Sequence, residues 1–449
     1  MSFKFNEKNL FLHNKYKELH ASANDIAPII DKTDPRIPEA IQGWSAEVSS
    51  WPILISKRHS EQLSQLSDRI SHLLTLIPSL YFNNDEEKLS EYYCDTSIDE
   101  ARLSLNNTQK YKNTTRLDLI LTEQGFRVLE VNFGSAIGGT ECQYFDLALQ
   151  AQHSKFFSEH NFYTSNFQNE FIQYFIDNLQ KTKPEYKELS VFLVSTHPIP
   201  DDIRQISIDF FSSLLFHATG IEDVKVYTDT IDTLHYVDNE LIYKEQRVDS
   251  VLLLEANEKL TPEVCKALAD GKIFTPDHAG LKILSDKGNL GLLRELAERN
   301  CFSEADNKLV LECIPWTKNL IAGEVTYRGK DYDLLELVEQ HKDSFVIKPR
   351  VGFQGKDAVL GKYASQGDWQ TSLGEALQSG NFVVQEVCKS IECYSFTKDN
   401  EYCAFTPVWG SFSFGEGYGG SMLKMAELDK HDGIVNGSTG IVALVYEEQ

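Results

Sequence analysis

Apolar residues recur at helical spacing through the first 110 residues. The clearest run precedes Pro78 and places five apolar residues on one helical face: Leu63, Leu66, Ile70, Leu73 and Leu74. Spacings of three and four residues are typical of an amphipathic helix, and proline cannot continue one. We therefore predict a mainly helical N-terminal region over residues 1–113.

Residues 188–285 alternate between strand-like and helix-like segments. Short apolar runs lie at residues 190–194, 224–227, 251–255 and 272–276. Helix-like segments lie between them, at residues 202–220 and 261–271. Because strands separated by helices indicate a parallel sheet, we predict a parallel α/β domain here.

Alternation with period two predicts a β-hairpin in residues 114–133. Its apolar face carries Leu117, Leu119 and Leu121 on the first strand, and Leu129, Val131 and Phe133 on the second. A three-residue loop, residues 123–125, with Gly125 in the left-handed conformation is a common connection. Counting from that loop, Thr122 lies opposite Phe126.

The other face of the hairpin carries candidate metal ligands. The predicted register sets Asp118 opposite Glu130 and Arg116 opposite Asn132. Facing carboxylates repel each other, and a divalent cation between them would remove that repulsion. Glu and Asn two residues apart offer hard oxygen ligands, which suit Mg²⁺. The alternative is a solvated polar face on which Arg116 compensates the acids.

A lysine followed by glycines lies in residues 345–361. An apolar strand ends at Lys348, Pro349 interrupts the ladder, and Gly352, Gly355 and Gly361 follow. A lysine can pair with phosphate oxygens, and a glycine-rich loop lets backbone N–H groups converge on an anion. The run is not a Walker A motif, since no GxxxxGK[ST] occurs. An ordinary surface turn is the alternative.

Two later segments are candidates for contacts to a nucleotide. The apolar run 382–387 ends in Gln385, Glu386 and Val387. We interpret it as an edge strand that offers backbone groups to adenine, with an ordinary strand end as the alternative. Residues 410–440 contain many glycines around Lys424, and predict a mobile lid over phosphates rather than a core strand. The alternative is a plain surface loop.

Composition narrows the class of protein. The chain has 449 residues, 41% hydrophobic and 24% charged, which is ordinary for a globular protein of two or three structural units. A net charge of −24 disfavours nucleic acid and anionic membranes as partners. The eight cysteines form no CxxC pair, and the polar N-terminal segment is unlike a signal peptide. We therefore expect a cytoplasmic protein.

Together these segments resemble the ATP-grasp superfamily in its circularly permuted form. Residues 116–139 are similar to the R-x-D … E-x-N … GG segment of eukaryotic-type glutathione synthetases. The lysine strand, glycine loop and VVQEV run resemble the permuted ATP-grasp nucleotide site, and residues 286–296 resemble the family's earlier phosphate-contacting lysine at a helix start. The resemblance covers roughly residues 114–146 and 275–445.

The resemblance implies a role for each candidate residue. Mg²⁺ would bind Glu130 and Asn132 with Asp118 close by; ATP would contact Lys287, Lys348, Gly352, Gly355, Gln385, Glu386 and Val387; Arg116 and Lys424 would act on the reacting groups. One departure is clear. Glutathione synthetases carry a metal-binding Glu in the glycine loop, and no acid occurs here between Lys348 and Lys356. The third metal ligand therefore stays open.

The implied fold is α/β: an ATP-grasp core in permuted order, a parallel α/β substrate domain and a helical N-terminal region. The boundaries we predict are residues 1–113, 114–187, 188–285 and 286–449. The implied activity is a Mg-ATP-dependent, ADP-forming carboxylate–amine ligase acting on a small-molecule or peptide acid and an amine, with a homodimer as the implied assembly. The alternatives are a phosphotransferase or ATPase on the same scaffold, a non-catalytic nucleotide-binding protein, and an α/β protein without an ATP site.

Overall fold

The computed structural model describes most of the chain. The described residues are 13–22, 26–93, 96–110, 112–184, 187–197, 200–255, 259–352, 355, 357–415, 417–428, 430, 433–435 and 440–449. Among them, no helix combines the length and the apolar composition that crossing a bilayer requires.

The N-terminal region is mainly helical, as predicted. Its elements are α1 (His13–Ser22), α2 (Glu39–Gln42), β1 (Glu47–Val48), β2 (Ile53–Ile55), α3 (Lys57–Thr75), α4 (Ile77–Leu80), α5 (Glu86–Tyr92) and α6 (Ile98–Lys110). The five apolar residues predicted to share a helical face lie on α3 and are all buried. This helix packs across the sheet that carries the candidate site.

The predicted hairpin follows the helical region. It consists of β3 (Thr114–Thr122) and β4 (Gly125–Phe133), and the chain continues through α7 (Asp146–Gln152), α8 (Ser154–Glu159), β5 (Phe162–Tyr163) and α9 (Phe167–Thr182). The predicted apolar face is buried at Leu117, Leu119, Leu121 and Val131. The hairpin therefore has one face in the core and one face free to build a site.

The next segment contains a parallel sheet, as its strand–helix alternation predicted. Its elements are β6 (Glu188–Val194), α10 (Asp201–Thr219), β7 (Asp223–Asp229), β8 (His235–Val237), β9 (Glu240–Tyr243), β10 (Gln246–Arg247), β11 (Ser250–Leu253) and α11 (Pro262–Ala269). The strand order is β11-β6-β7, with both pairs parallel. The strand predicted at residues 272–276 is wrong, because only an isolated bridge from Phe274 to Ser250 forms there.

A four-stranded sheet is built from the segment after α11. The elements are α12 (Leu281–Leu284), α13 (Gly288–Glu298), α14 (Glu304–Cys313), β12 (Thr317–Asn319), β13 (Glu324–Tyr327), β14 (Lys330–Asp333), α15 (Leu334–Gln340), β15 (Phe345–Pro349), β16 (Val359–Leu360), α16 (Gln366–Ser379) and β17 (Phe382–Glu386). The strand order is β12-β17-β15-β16, all antiparallel. The interpretation of β17 as an edge strand is wrong, since β12 and β15 flank it.

The chain then returns to the hairpin. The last strands are β18 (Cys393–Phe396), β19 (Tyr402–Phe414), β20 (Gly417–Glu427) and β21 (Ile441–Glu448). They complete a sheet of nine described strands with the order β1-β21-β20-β19-β3-β4, on which β18 pairs with β19, and β2 and β5 pair with β21. The last and first parts of the chain therefore share one sheet, and β19 lies directly against β3.

The predicted lid at residues 410–440 is wrong for residues 410–414 and 417–427, which lie in the largely buried interior strands β19 and β20. The glycines there permit close packing. A Cβ on Gly419 would lie 2.4 Å from the Phe414 ring, and one on Gly420 would lie 2.5 Å from the Phe167 ring. Much of residues 428–440, including 429, 431–432 and 436–439, lies outside the described residues.

Apolar side chains collect in two clusters. The larger cluster spans the helical region, the parallel sheet and the nine-stranded sheet. The smaller cluster lies within residues 316–384 and includes Trp316, Phe345 and Trp369. Residues 316–384 therefore have their own core, and the predicted region 286–449 contributes to both clusters. The four domain boundaries stay predictions.

Candidate functional site

The polar face of the hairpin has the predicted pairing. Asp118 lies opposite Glu130, and Arg116 lies opposite Asn132. These side chains are largely shielded, with 14% of Asp118, 24% of Glu130 and 12% of Arg116 exposed. This part of the hairpin is therefore not a solvated face, although Arg116 does compensate Asp118, as that alternative expected.

The turn differs from its prediction in a way that leaves this pairing intact. Thr122 pairs with Gly125 rather than Phe126, so the loop has two residues instead of three. Further down, a β-bulge leaves Leu129 without a partner residue on β3. The extra residue predicted in the turn thus lies within the strand. As a result, Leu129 is only half-buried. The prediction that Leu129 shares the apolar face of Val131 is wrong.

The bulge brings the hairpin into contact with the lysine strand. Lys348 Nζ donates to the backbone oxygen of Leu129 at 2.8 Å and to Gln385 Oε1 at 2.9 Å. Burial lowers the pKa of Lys348 to about 8, while the negative charge of Glu130 acts in the opposite direction. Residues far apart in sequence, near 130 and at 348, therefore line one site.

Lys287 also contacts the hairpin and the segment that follows the lysine strand. It lies at the start of α13, and its Nζ forms an ion pair with Glu130 Oε1 at 3.2 Å and donates to the backbone oxygen of Gly352 at 2.8 Å. Its positive charge also acts on Lys348. The two lysines predicted to hold phosphates thus flank the carboxylate predicted to hold a metal.

Asp118 is bound by two cations. Arg116 Nε lies 2.7 Å from Asp118 Oδ1, and Lys424 Nζ lies 2.8 Å from Asp118 Oδ2. Burial alone would raise the pKa of Asp118, but the charges of Arg116 and Lys424 outweigh it and hold that pKa well below its usual range. Burial also lowers the pKa of Lys424. Arg116 further donates to the backbone oxygen of Gly138 at 2.8 Å, which fixes its direction.

The glycine loop contributes two described residues. Gly352 accepts the hydrogen bond from Lys287. Gly355 has φ +68°, a conformation that favours glycine, and a Cβ there would lie 2.5 Å from Ile434 Cγ2. Both the backbone conformation and the lack of space therefore disfavour a side chain at this position. Phe353, Gln354 and Lys356 lie outside the described residues. Convergence of the loop's N–H groups on an anion stays a prediction.

The three predicted adenine contacts have different surroundings. The Gln385 side chain is buried between Lys348 and Thr317, accepting from Lys348 and donating to Thr317 Oγ1 at 3.0 Å. The Glu386 and Val387 N–H groups already donate to backbone oxygens, at 2.8 Å each. Their N–H groups are thus engaged within the protein.

Glu386 and Val387 nevertheless line a cavity of about 820 Å³. Its walls come from the hairpin tip at residues 122–127, the segment 311–316 and residues 386–394. A cavity of this size is large enough for a nucleotide base and sugar. The Glu386 carboxylate lies at this wall and accepts from Tyr327 and Arg328 at 2.9 and 2.6 Å.

The donor set suits magnesium bound with a nucleotide. In the described part of the chain, no group of three or more His, Cys, Asp or Glu side chains could hold a metal alone. Glu130 and Asn132 offer oxygen ligands on one face, whereas both oxygens of Asp118 contact Arg116 and Lys424. Mg²⁺ commonly binds through one or two protein oxygens plus substrate phosphates and water. The predicted pair Glu130 and Asn132 fits that pattern.

The sequence analysis missed two parts of the site. The Leu129 carbonyl is set by a bulge that alternation does not reveal. The ion pair of Asp286 with Arg350, 2.8 Å, joins the segments that carry Lys287 and Lys348. The position of Asp286 directly before Lys287, and of Arg350 two residues after Lys348, could have suggested that pair.

Comparison with known proteins supports the fold. A glutathione synthetase-like effector from Globodera pallida, in its apo form, aligns over 97% of this chain and 96% of its own, with a TM-score of 0.57 and 12% identity. This chain therefore has a glutathione synthetase-like α/β fold. Permuted ATP-grasp order is not established by that similarity.

A second solved structure aligns more loosely. It is a protein from Methylobacillus flagellatus KT, provisionally described as a gamma-glutamylcysteine synthetase, with a TM-score of 0.41 and 11% identity over 84% of this chain and 88% of its own. At that score it carries no argument about this chain. No protein-family model matches the sequence, and no curated protein does.

Proposed function

We propose that this chain is a Mg-ATP-dependent, ADP-forming ligase of the ATP-grasp type that joins a carboxylate to an amine. One observation carries the proposal: Glu130, a candidate metal ligand on the hairpin, forms an ion pair with Lys287, and Lys348 donates to the backbone oxygen of the adjacent Leu129 at 2.8 Å. Three segments distant in sequence thus supply oppositely charged groups to one place, as a bound metal–triphosphate complex requires.

The charges of the site suit that ligand. Two carboxylates face four cations: Asp118 and Glu130 against Arg116, Lys287, Lys348 and Lys424. The excess positive charge complements the net negative charge of Mg-ATP, although the chain as a whole carries −24. Preorganised charges in a shielded site interact more strongly than in water.

The proposed reaction has two steps. An oxygen of the substrate carboxylate attacks the γ-phosphorus of ATP, and the bond to the bridging β–γ oxygen breaks, which gives an acyl-phosphate and ADP. The amine then attacks the acyl carbon, the bond to the phosphate oxygen breaks, and an amide, inorganic phosphate and a proton result.

Each residue of this chain has a defined part in the proposal. Phosphoryl transfer depends mainly on positioning and charge stabilisation, which Lys287 and Lys348 would supply at the β- and γ-phosphates. Bound to Glu130 and Asn132, Mg²⁺ would neutralise charge between the phosphates. Arg116 lies at the end of the hairpin near Gly138, where it would orient the acyl-phosphate or the carboxylate. Lys424, bound to Asp118, would add positive charge beside Arg116 to stabilise the reacting groups.

A non-catalytic nucleotide-binding protein is the second candidate. Asp118 is occupied by Arg116 and Lys424, and the glycine loop lacks the acid that glutathione synthetases place there. Both features reduce the number of carboxylates available to metal. Nucleotide would then bind without turnover.

ADP release over a panel of acids and amines, with mass spectrometry of the products, separates the candidates. The ligase predicts ADP release that requires both an acid and an amine, together with an amide of the summed mass less water. Amine-independent ADP release would indicate an ATPase or phosphotransferase. Binding of Mg-ATP without ADP release would indicate the second candidate. A cytoplasmic location, a homodimer, and the absence of nucleic-acid and membrane partners stay predictions.

A further inference from the structure

The segments that carry Lys287 and Lys348 belong to different apolar clusters. Helix α13, which follows Lys287, buries Leu290 and Leu293 in the larger cluster. Strand β15, which carries Lys348, buries Phe345 and Ile347 in the smaller one. Since each lysine is held by a different core, their separation depends on whatever joins the two cores.

The two cores meet beside the lysines through several contacts, among them the Lys348–Leu129 hydrogen bond and the Glu295–Lys318 ion pair, and one of these contacts, which we call the joint, is a buried ion pair. Arg350 Nε lies 3.0 Å from Asp286 Oδ1, and Arg350 Nη2 lies 2.8 Å from Asp286 Oδ2. Both side chains are almost fully buried, at 4% and 2% exposure. Asp286 Oδ1 also accepts the Gly288 N–H at 2.7 Å, so the carboxylate holds the first turn of α13 as well.

Backbone contacts continue the joint to the lysines. The Lys287 N–H donates to the Arg350 backbone oxygen at 2.9 Å, and Lys287 Nζ donates to the Gly352 oxygen at 2.8 Å. On its other side the Arg350 guanidinium lies 4.4 Å from the Tyr92 ring centre and donates to the Tyr92 carbonyl at 2.9 Å. The joint is therefore anchored to the helical region too.

A buried ion pair is a poor source of stability, because desolvating two charges offsets most of their attraction. Hydrophobic side chains could connect the cores equally well. What the pair adds is direction: the planar guanidinium donates through Nε to Asp286 Oδ1 and through Nη1 to the Tyr92 carbonyl, which fixes its orientation. That property is useful where two groups must be held at a fixed distance.

We propose that Asp286 and Arg350 are positioning residues that hold Lys287 and Lys348 at the spacing a triphosphate needs. The inference rests on the proposed nucleotide site, and neither residue touches the nucleotide in it. Loosening the pair would let the two cores shift relative to each other. The lysines would then meet the phosphates at the wrong distance while each core stays folded.

The test compares Asp286→Asn with Asp306→Asn. Asparagine keeps the acceptor for the Gly288 N–H but removes the charge that pairs with Arg350. Asp306 is the control because it also pairs with an arginine, Arg69, at 2.5 Å and is 8% exposed, yet it joins α3 to α14. Arg69 is 43% exposed, so the control pair is less shielded than Asp286 and Arg350. Two readouts are taken for each variant: calorimetric binding of a non-hydrolysable Mg-ATP analogue, and hydrogen–deuterium exchange without nucleotide.

For Asp286→Asn we expect affinity for the analogue to fall roughly tenfold to a hundredfold, as when supporting residues around a ligand site are removed. Exchange should rise at residues 286–290 and 350–352 and stay unchanged in the strands of both cores. Asp306→Asn should change affinity for the analogue less than twofold, even if it lowers the melting temperature as much as Asp286→Asn does. Arg350→Met should match Asp286→Asn, and the double variant should be no worse than either.

Two results would overturn the proposal. Unchanged affinity in Asp286→Asn, with the wild type binding, would show that the pair does not position the lysines while leaving the nucleotide site standing. If the wild type binds no analogue, the proposed function fails, and exchange then decides whether the joint exists: no local rise at residues 286–290 would reject it. Should Asp286→Asn not fold, Arg350→Lys, which keeps the charge but not the fork, replaces it in both readouts.

Discussion

The ion pair between Glu130 and Lys287 leads to a specific expectation about magnesium. Without ligand, the carboxylate and the ammonium neutralise each other at 3.2 Å. If phosphate oxygens bind Lys287, Glu130 loses its ion-pair partner and needs another cation beside it. Mg²⁺ supplies that cation, so metal and nucleotide should strengthen each other's binding. Glu130→Gln removes the charge and should remove most of this synergy.

The size of the effect follows from the contact. Coupling between two bound ligands is typically about 1–3 kcal/mol, and for a shielded ion pair we take the upper part of that range, about 1.5–3 kcal/mol. Glu130 and Lys287 are 24% and 8% exposed, so solvent weakens the pair only in part. We therefore expect Mg²⁺ to tighten binding of the nucleotide to the wild type by roughly 10- to 150-fold, which is the same energy expressed as a ratio of dissociation constants. In Glu130→Gln the factor should fall to about threefold or less.

Calorimetry with a non-hydrolysable ATP analogue, with excess Mg²⁺ or with chelator, measures both dissociation constants. Glu295→Gln is the matched control. Glu295 is also 24% exposed and pairs with a lysine, Lys318, at 2.7 Å, but it lies on the far part of α13 and outside the site. The control should keep the wild-type magnesium effect. Melting temperatures of all three proteins confirm that each is folded.

The reasoning would be refuted by a Glu130→Gln variant that still shows the full magnesium enhancement. It would also be refuted by a wild type whose affinity for the nucleotide is the same with and without Mg²⁺. Either result would mean that metal, if it binds, does not meet the nucleotide at this carboxylate.

Three further predictions concern pH, the glycine loop and the arginine. Burial lowers the pKa of Lys348 to about 8, so nucleotide affinity should decline as pH rises through 8. Titration calorimetry at pH 7 and pH 9 should show this decline in the wild type. The decline should be much smaller in Lys348→Arg. The same shift means that the unfolded chain holds this proton more tightly, so the contribution of Lys348 to the free energy of unfolding should rise between about pH 8 and 10.5. Gly355→Ala should lower the free energy of unfolding by about 1–2 kcal/mol, because φ at Gly355 is +68° and Ile434 occupies the space that a Cβ would need. As a control, Gly374→Ala within α16 should raise the free energy of unfolding by about 1 kcal/mol. Urea unfolding measures both changes. Arg116→Met should leave affinity for the ATP analogue within about threefold but lower ADP release at least a hundredfold, and equal losses in both would contradict its assignment to the reacting groups.

The hairpin shows what alternation along the sequence determines. The period-two pattern and the residue count of the turn predict the pairing of Asp118 with Glu130, which is confirmed, but they put Leu129 on the wrong face. A three-residue turn and a two-residue turn followed by a bulge contain the same number of residues. The pattern cannot separate them, and the carbonyl of Leu129 that Lys348 contacts was therefore not predicted.

The glycine-rich C-terminal segment shows the opposite case. Local composition indicated a flexible lid, yet the residues form the buried strands β19 and β20. Gly420 has φ +100° and packs against Phe167 and Ser165, which lie more than 250 positions earlier. Such a requirement arises only from tertiary contacts. For the same reason, Lys424 was placed on a lid although it points from a core strand to Asp118.

A crystal structure of the protein with Mg²⁺ and a non-hydrolysable ATP analogue tests the central claim most directly. We expect one triphosphate to contact both Lys287 and Lys348, with the metal bound to Glu130 and Asn132 and the base in the cavity beside Glu386. A nucleotide that contacts only one of the two lysines, or that binds away from the hairpin, would contradict the account.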